Sequence, residues 1–234
     1  MPARCYACRP VRRALIVIGK APEAGSTKTR LAPVVTPDAA AALYRAFLLD
    51  AVELGLSLGW ERVAVVHPRG GGALLRAILP DRAYLLEQPA SGLADALACA
   101  FEREFADGFE RVVLIGSDNP TLAAEPIEQA CAALNGADDV SIGPSADGGY
   151  YLIGMRQPHL GLFEAIDWST SRVYAQTLAR AERLGLLVHP VRESYDVDTP
   201  EDLDRLRREL RSMLPGVAAH TRRALGATVA APEP

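Results

Sequence analysis

Short apolar runs and segments of helical period alternate along almost the whole chain of 234 residues. Residues 14–19 (ALIVIG), 63–67 (VAVVH), 112–116 (VVLIG) and 140–143 (VSIG) are apolar, rich in β-branched residues and bounded by turn formers. That pattern marks strands buried on both faces. Residues 84–87 and 186–191 repeat it more weakly. Between the runs, residues 37–58 carry Leu43, Phe47, Ala51 and Leu54 on one helical stripe. Thr36 is placed to cap that helix, with Pro37 at its first position. Further helices are expected over 71–79, 93–105, 124–134, 172–184 and 201–211. The last opens with Thr199, Pro200 and Asp202 as cap, first residue and capping-box acid.

Strand–helix alternation predicts parallel strands joined by right-handed crossovers, hence a layered α/β sheet. Residues 150–155 (YYLIGM) break the rhythm, because only a glycine-rich turn separates them from the preceding strand. An antiparallel pair is therefore expected inside a mostly parallel sheet. One domain is expected over residues 14–212, with loosely ordered segments at 1–13 and, rich in Ala, Gly and Pro, at 213–234.

Composition narrows the classes. The length suits one large core, and 49% hydrophobic with 23% charged residues excludes a disordered chain. A net charge of −4 without a basic run gives no reason to expect nucleic acid. No stretch approaches the roughly 20 apolar residues of a membrane span. The apolar run behind Arg12 and Arg13 is too short for a secretory signal, so a cytoplasmic location is expected. Cys5 and Cys8 form a C-x-x-C without a second pair at zinc spacing, which reads as incidental. Cys99 and Cys131 lie among alanines in helical segments and read as small core residues. The chain has only two lysines, Lys20 and Lys28, among 25 basic residues, and both fall in one loop.

In open α/β sheets ligands bind where strands end at their carboxyl edge. After the first strand, residues 19–33 (GKAPEAGSTKTRLAP) combine Gly19, Lys20, Gly25, Ser26, Thr27, Lys28, Thr29 and Arg30. Glycine allows close approach, hydroxyls and amides donate, and the cations neutralise charge, so the loop suits a phosphate-bearing ligand rather than an ordinary solvated turn. The spacing is not that of a Walker A loop. After the strand at 112–116 comes Asp118, placed either to ligate Mg²⁺ or to cap a turn. In residues 195–198 (YDVD), extended backbone would put Asp196 and Asp198 on one side, an arrangement often held by a cation. Residues 143–151 carry Asp147, Gly148 and Gly149, readable as a hairpin turn or as a substrate contact.

The segments KAPEAGSTKTRLAP, LIGSDNPTL, GPSADGGYYLIG, DWST and YDVDTPEDL, in this order, resemble the DUF2064 family of GT-A-like transferases over residues 14–211. More distantly the chain is similar to guanylyltransferases of coenzyme F420 synthesis and to sugar-acid cytidylyltransferases. The resemblance implies a GT-A fold, a three-layer α/β/α arrangement with a Rossmann-like sheet. It also implies a nucleotide held by the first loop, Mg²⁺ or Mn²⁺ on Asp118 and Asp198, and Lys28 and Arg30 near the phosphates. Asp147, Gly148, Gly149, Ser169, Thr170 and Asp196 are the substrate-side candidates. Sugar transferases of this fold usually carry D-x-D, whereas Pro120 stands two residues after Asp118.

The leading expectation is an Mg²⁺-dependent nucleotidyltransferase acting on a nucleoside triphosphate and a small phosphorylated or carboxylated acceptor. The alternatives are glycosyl transfer from a nucleotide-sugar and a non-catalytic nucleotide-binding module. The base, the acceptor and the oligomeric state stay open. A hydrolase is disfavoured by the absence of G-x-S-x-G and H-E-x-x-H.

Overall fold

A computed structural model of the chain describes residues 10–89 and 92–229. The C-x-x-C at Cys5 and Cys8 lies outside them. The strands are β1 (Arg13–Ile18), β2 (Arg62–His67), β3 (Tyr84–Glu87), β4 (Arg111–Gly116), β5 (Asp139–Pro144), β6 (Tyr150–Met155) and β7 (Leu187–Pro190). They form one sheet in the order β3-β2-β1-β4-β6-β5-β7. Every neighbouring pair is parallel except those of β6, which runs against both β4 and β5. The chain travels outward from β1 to β3 and resumes with β4 on the other side of β1, so the switch point lies between β1 and β4.

The helices are α1 (Pro37–Ser57), α2 (Gly72–Ile78), α3 (Gly92–Ala106), α4 (Ala124–Ala133), α5 (Val173–Arg183), α6 (Pro200–Ser212) and α7 (Ala219–Val229). The expected caps are in place. Thr36 accepts from the Ala39 amide, and Thr199 and Asp202 form a reciprocal capping box. β1, β2 and β4 present alternate side chains to two apolar layers, one packed against α1 and α4, the other against α3 and α5. The three-layer α/β/α arrangement of the GT-A fold is thus formed, and among the described residues no helix is long and apolar enough to cross a membrane.

The segment after residue 212 departs from expectation. Instead of a loosely ordered tail it forms α7, which packs along α1. The cause is a buried acid. Asp50, on the apolar side of α1, accepts bonds from the His220 amide at 2.9 Å and from the Thr221 amide and hydroxyl at 2.9 and 2.6 Å. Those are free donors of a helix start, and a carboxylate there also meets the positive end of the helix dipole. Cys131 is buried, as expected, while Cys99 is half-buried.

At the opposite edge of the sheet from the strand ends, Arg62 donates to Glu104 at 3.2 Å and to Asp107 at 2.5 Å. Glu104 is fully buried, and its Oε1 has no hydrogen-bond partner. Burial lifts its carboxyl to about 7, against the pull of Arg62. An acid with a raised native pKa binds protons the unfolded chain has already lost, so stability falls as pH rises from about 4.5 to about 7. Glu104→Gln is therefore expected to raise stability by about 1 kcal/mol at pH 8 and to leave it nearly unchanged at pH 5. Urea melts at the two pH values would check this.

Candidate active site at the β1–β4 switch point

Gly19 leaves the end of β1 beneath α1. A Cβ there would lie 3.0 Å from Leu48 and 3.3 Å from the Tyr44 hydroxyl, so glycine lets the chain pass close to the helix. The Tyr44 hydroxyl accepts from the Lys20 amide at 2.9 Å and sits 3.1 Å from Ser117 Oγ, tying this loop to the end of β4. The Lys20 ammonium turns back on the loop and donates to the Ser26 carbonyl at 2.6 Å.

Lys28 takes a left-handed backbone conformation, φ 50° and ψ 38°. Such a conformation costs a residue with a Cβ about 1 kcal/mol or more and persists only where the surroundings impose it. Here the next residues form a 3-10 turn, Thr29–Leu31, whose Leu31 is fully buried and whose amide bonds to the Lys28 carbonyl at 2.9 Å. The twist sends the Lys28 side chain inward, where it is only 3% exposed. Its ammonium lies 2.7 Å from Asp118 Oδ1 and 2.8 Å from Asp198 Oδ1, with the Phe47 ring centroid 5.6 Å away. Arg30 holds the other oxygen of Asp198.

Asp118 follows β4 directly, and its carbonyl accepts from the Val197 amide at 2.9 Å. Asn119 donates to Ser194 Oγ at 2.7 Å. These bonds clamp the Asp118 loop to the strand-like segment that carries Asp196 and Asp198. Asp198 stands just before the α6 cap, and Asp202 accepts from its amide at 3.2 Å as well as from Thr199. The capping box thus fixes both the helix start and the position of the carboxylate.

The charges are balanced by proximity. Burial would lower the Lys28 pKa, but Asp118 and Asp198 together outweigh it and raise the value. Burial opposes ionisation of Asp198, and Lys28 and Arg30 overcome it, so its pKa falls. Asp196 has no ion-pair partner among the described residues, and the Lys28 charge acts on it only weakly. Burial, then the Asp118 charge, pushes it to about 7, against a 3.1 Å hydrogen bond from Ser145.

Two cavities share Asp118, Asp198 and Arg30. The first, about 550 Å³, lies toward β2 and β3 and is lined also by Gly19, Lys20, Ser26, Lys28 and Thr29. The second, about 670 Å³, lies toward β6 and takes in Asp147, Gly149, Ser169, Thr170 and Asp196. Three expected contacts do not line either cavity. Thr27 is buried and its hydroxyl donates to the Glu23 carbonyl at 3.0 Å. Gly25 turns the loop at φ 78°. Gly148, at φ 89°, passes so close to Ser171 that a Cβ would meet its carbonyl oxygen at 2.2 Å. Their roles are in backbone geometry. Conversely, Tyr44, Ser117 and Ser145 hold the site together although none was singled out as a site residue; Ser117 and Ser145 lie within the LIGSDNPTL and GPSADGGYYLIG segments. Tyr150 and Trp168 line the second cavity; both stand in segments that carry the family resemblance, GPSADGGYYLIG and DWST, without being singled out as contacts.

Among the described residues no three His, Cys, Asp or Glu side chains gather in metal-holding geometry. The pair Asp118 and Asp198 nevertheless fits a divalent cation. Both carboxylates reach one ammonium, which occupies the place of a shared cation. Asp118 Oδ1, though at ion-pair distance from Lys28, is buried without an aligned hydrogen bond. Hard oxygen donors of this kind suit Mg²⁺ or Mn²⁺.

Residues 51–170 match the family model described as "Uncharacterized protein conserved in bacteria (DUF2064)". The chain is 34% identical over 185 residues to a 3-phospho-D-glycerate guanylyltransferase of Phenylobacterium zucineum, covering 75% of this chain and 81% of that protein. It is 27% identical over 186 residues to a phosphoenolpyruvate guanylyltransferase of Sphaerobacter thermophilus, with 77% and 86% covered. Among solved structures, one from Desulfovibrio desulfuricans superposes with a TM-score of 0.84 at 32% identity, over 94% of this chain and 98% of that one. Its name places it provisionally among the nucleotide-diphospho-sugar transferases.

Proposed function

Since the chain belongs to the DUF2064 family and is a transferase of the GT-A type, we propose that it is an Mg²⁺-dependent nucleotidyltransferase with GTP as its donor. The observation that carries this reading is the Lys28 ammonium held between Asp118 and Asp198, at the sheet's switch point, with a cavity on either side. Support for guanine as the base comes from the relatives in Phenylobacterium zucineum and Sphaerobacter thermophilus, both named guanylyltransferases.

In this reading the triphosphate lies in the cavity of the first loop, where Lys20, Lys28 and Arg30 supply positive charge. The acceptor lies in the cavity toward β6. An acceptor phosphate or carboxylate oxygen, already ionised at neutral pH, bonds to the α-phosphorus. The bond from that phosphorus to the bridging oxygen breaks, and pyrophosphate leaves with the electron pair. The chain's contribution is positioning and charge neutralisation. Asp118 and Asp198 would hold the metal, whose bound role is to withdraw charge from the phosphates. As the phosphates arrive, Lys28 exchanges its carboxylate partners for phosphate oxygens.

Thermal shift is the first test, because it needs no acceptor. GTP with Mg²⁺ at about 100 times its dissociation constant should add about 2.7 kcal/mol of stability. Pyrophosphate should then appear when an acceptor is added. Stabilisation by GDP-mannose alone, with release of GDP, would replace this reading with glycosyl transfer.

A further inference from the structure

The cavity toward β6 has a chemistry that its proposed role does not by itself explain. We infer that the acceptor carries one oxyanion at its reacting end and an uncharged ring or apolar body behind it, and that Tyr150 and Trp168 select that body. This rests on the reading of the site as a nucleotidyltransferase centre.

Charge is the first ground. Arg30 is the one cation among the described residues lining this cavity, and Asp198 already holds it. The other ionisable lining groups are acids, including Asp147 and Asp196. A three-carbon phospho-acid, the kind of acceptor for which the two guanylyltransferase relatives are named, is anionic at both ends. One end can face the metal-binding pair. The other finds no Lys or Arg among the described lining residues, only the neutral hydroxyls of Ser169, Thr170 and Ser171 beside Asp147 and Asp196, a poor setting for a second anion in a partly desolvated site.

Size and surface are the second. About 670 Å³ is the volume of a site for a ligand well beyond three carbons. Leu97, Leu114 and Val173 supply apolar wall, and Tyr150 meets Trp168 edge-on, with ring centroids 6.4 Å apart and planes at 74°. Trp168 is braced in turn against Phe163 at 6.5 Å. A braced aromatic pair offers a flat ligand body contact area at little entropic cost.

The third ground is a missing partner. The Tyr150 hydroxyl is buried and makes no hydrogen bond. Burial without a partner raises its pKa and disfavours the folded state, an arrangement that native proteins tolerate where a ligand or water completes it. A hydroxyl or ether on the acceptor body would do so here.

Calorimetry of the full chain saturated with Mg²⁺ and α,β-methylene GTP, which cannot transfer its nucleotidyl group, tests the inference. The probes are 4-hydroxyphenyl phosphate, one oxyanion on an uncharged ring that carries a hydroxyl, and 3-phosphoglycerate, anionic at both ends. 4-Hydroxyphenyl phosphate should bind at least tenfold more tightly. Trp168→Ala should abolish the preference, and Tyr150→Phe, which keeps the ring, should lower 4-hydroxyphenyl phosphate affinity several-fold without changing that for the GTP analogue. Equal or tighter binding of 3-phosphoglycerate, no binding of either probe, or an unchanged Tyr150→Phe would overturn the inference while the nucleotidyltransferase reading stands. Failure of the wild-type chain to bind the GTP analogue would remove that reading and this inference with it.

Discussion

Asp198→Asn is expected to slow pyrophosphate release by about 100- to 1,000-fold while leaving the chain folded. Asparagine keeps the shape of the side chain and leaves intact the amide that Asp202 accepts from, so the α6 capping box survives. What disappears is the charge that Lys28 and Arg30 both face. Lys28 then retains only Asp118, and a buried ammonium with half its counter-charge should cost about 1–2 kcal/mol of stability. The two effects separate by measurement: a melt in the absence of ligand reads the second, and steady-state kinetics with GTP, Mg²⁺ and acceptor reads the first. Asp204→Asn serves as a control, since among the described residues Asp204 pairs with Arg207 alone, on the exposed side of α6. An Asp198→Asn protein turning over at the wild-type rate would remove Asp198 from the catalytic machinery.

The sheet was legible because buried parallel strands are written as uninterrupted apolar runs, and each run found became a strand of the sheet. The reversal of β6 was legible for a different reason, the shortness of the turn after β5, which leaves no room for a crossover. α7 was not legible, because its own sequence is weakly amphipathic and its start is fixed by Asp50, an acid about 170 residues upstream in an otherwise apolar stretch of α1. The one available signal was that acid itself. At the site, local pattern located Asp118, Lys28 and Asp198 near strand and helix ends, and the structure brings them together. The direction of each side chain was beyond it. Thr27 turns inward to the Glu23 carbonyl because of a backbone turn, and Lys28 reaches the carboxylates only through a left-handed conformation that its neighbours impose. No spacing rule announces either. The aromatic wall was missed because Tyr150 and Trp168 meet across 18 residues of chain, and neither GPSADGGYYLIG nor DWST shows locally that the two rings face each other.

Lys28→Ala should produce two changes of opposite sign. Affinity for GTP with Mg²⁺ is expected to fall by about ten- to a hundredfold, the loss of a charge-assisted bond to phosphate worth about 1.5–3 kcal/mol. Affinity for Mn²⁺ alone is expected to rise, by about tenfold or more, because the ammonium now lying 2.7 and 2.8 Å from the two carboxylates is the ion that a metal must displace. A side chain that merely packed the loop would lower the first quantity and leave the second unchanged. Lys28→Arg keeps the charge but spreads it over a wider planar fork, so it should lose part of the nucleotide affinity and gain little for the metal. Lys20, whose ammonium is tied to the Ser26 carbonyl, should matter less alone, and the double change should exceed either single one. Calorimetry reads the nucleotide, and the electron paramagnetic resonance of free Mn²⁺ reads the metal. Wild-type nucleotide affinity in Lys28→Ala would make the loop only a turn. Unchanged Mn²⁺ affinity would mean that Asp118 and Asp198 are held together for Lys28 and not for a metal.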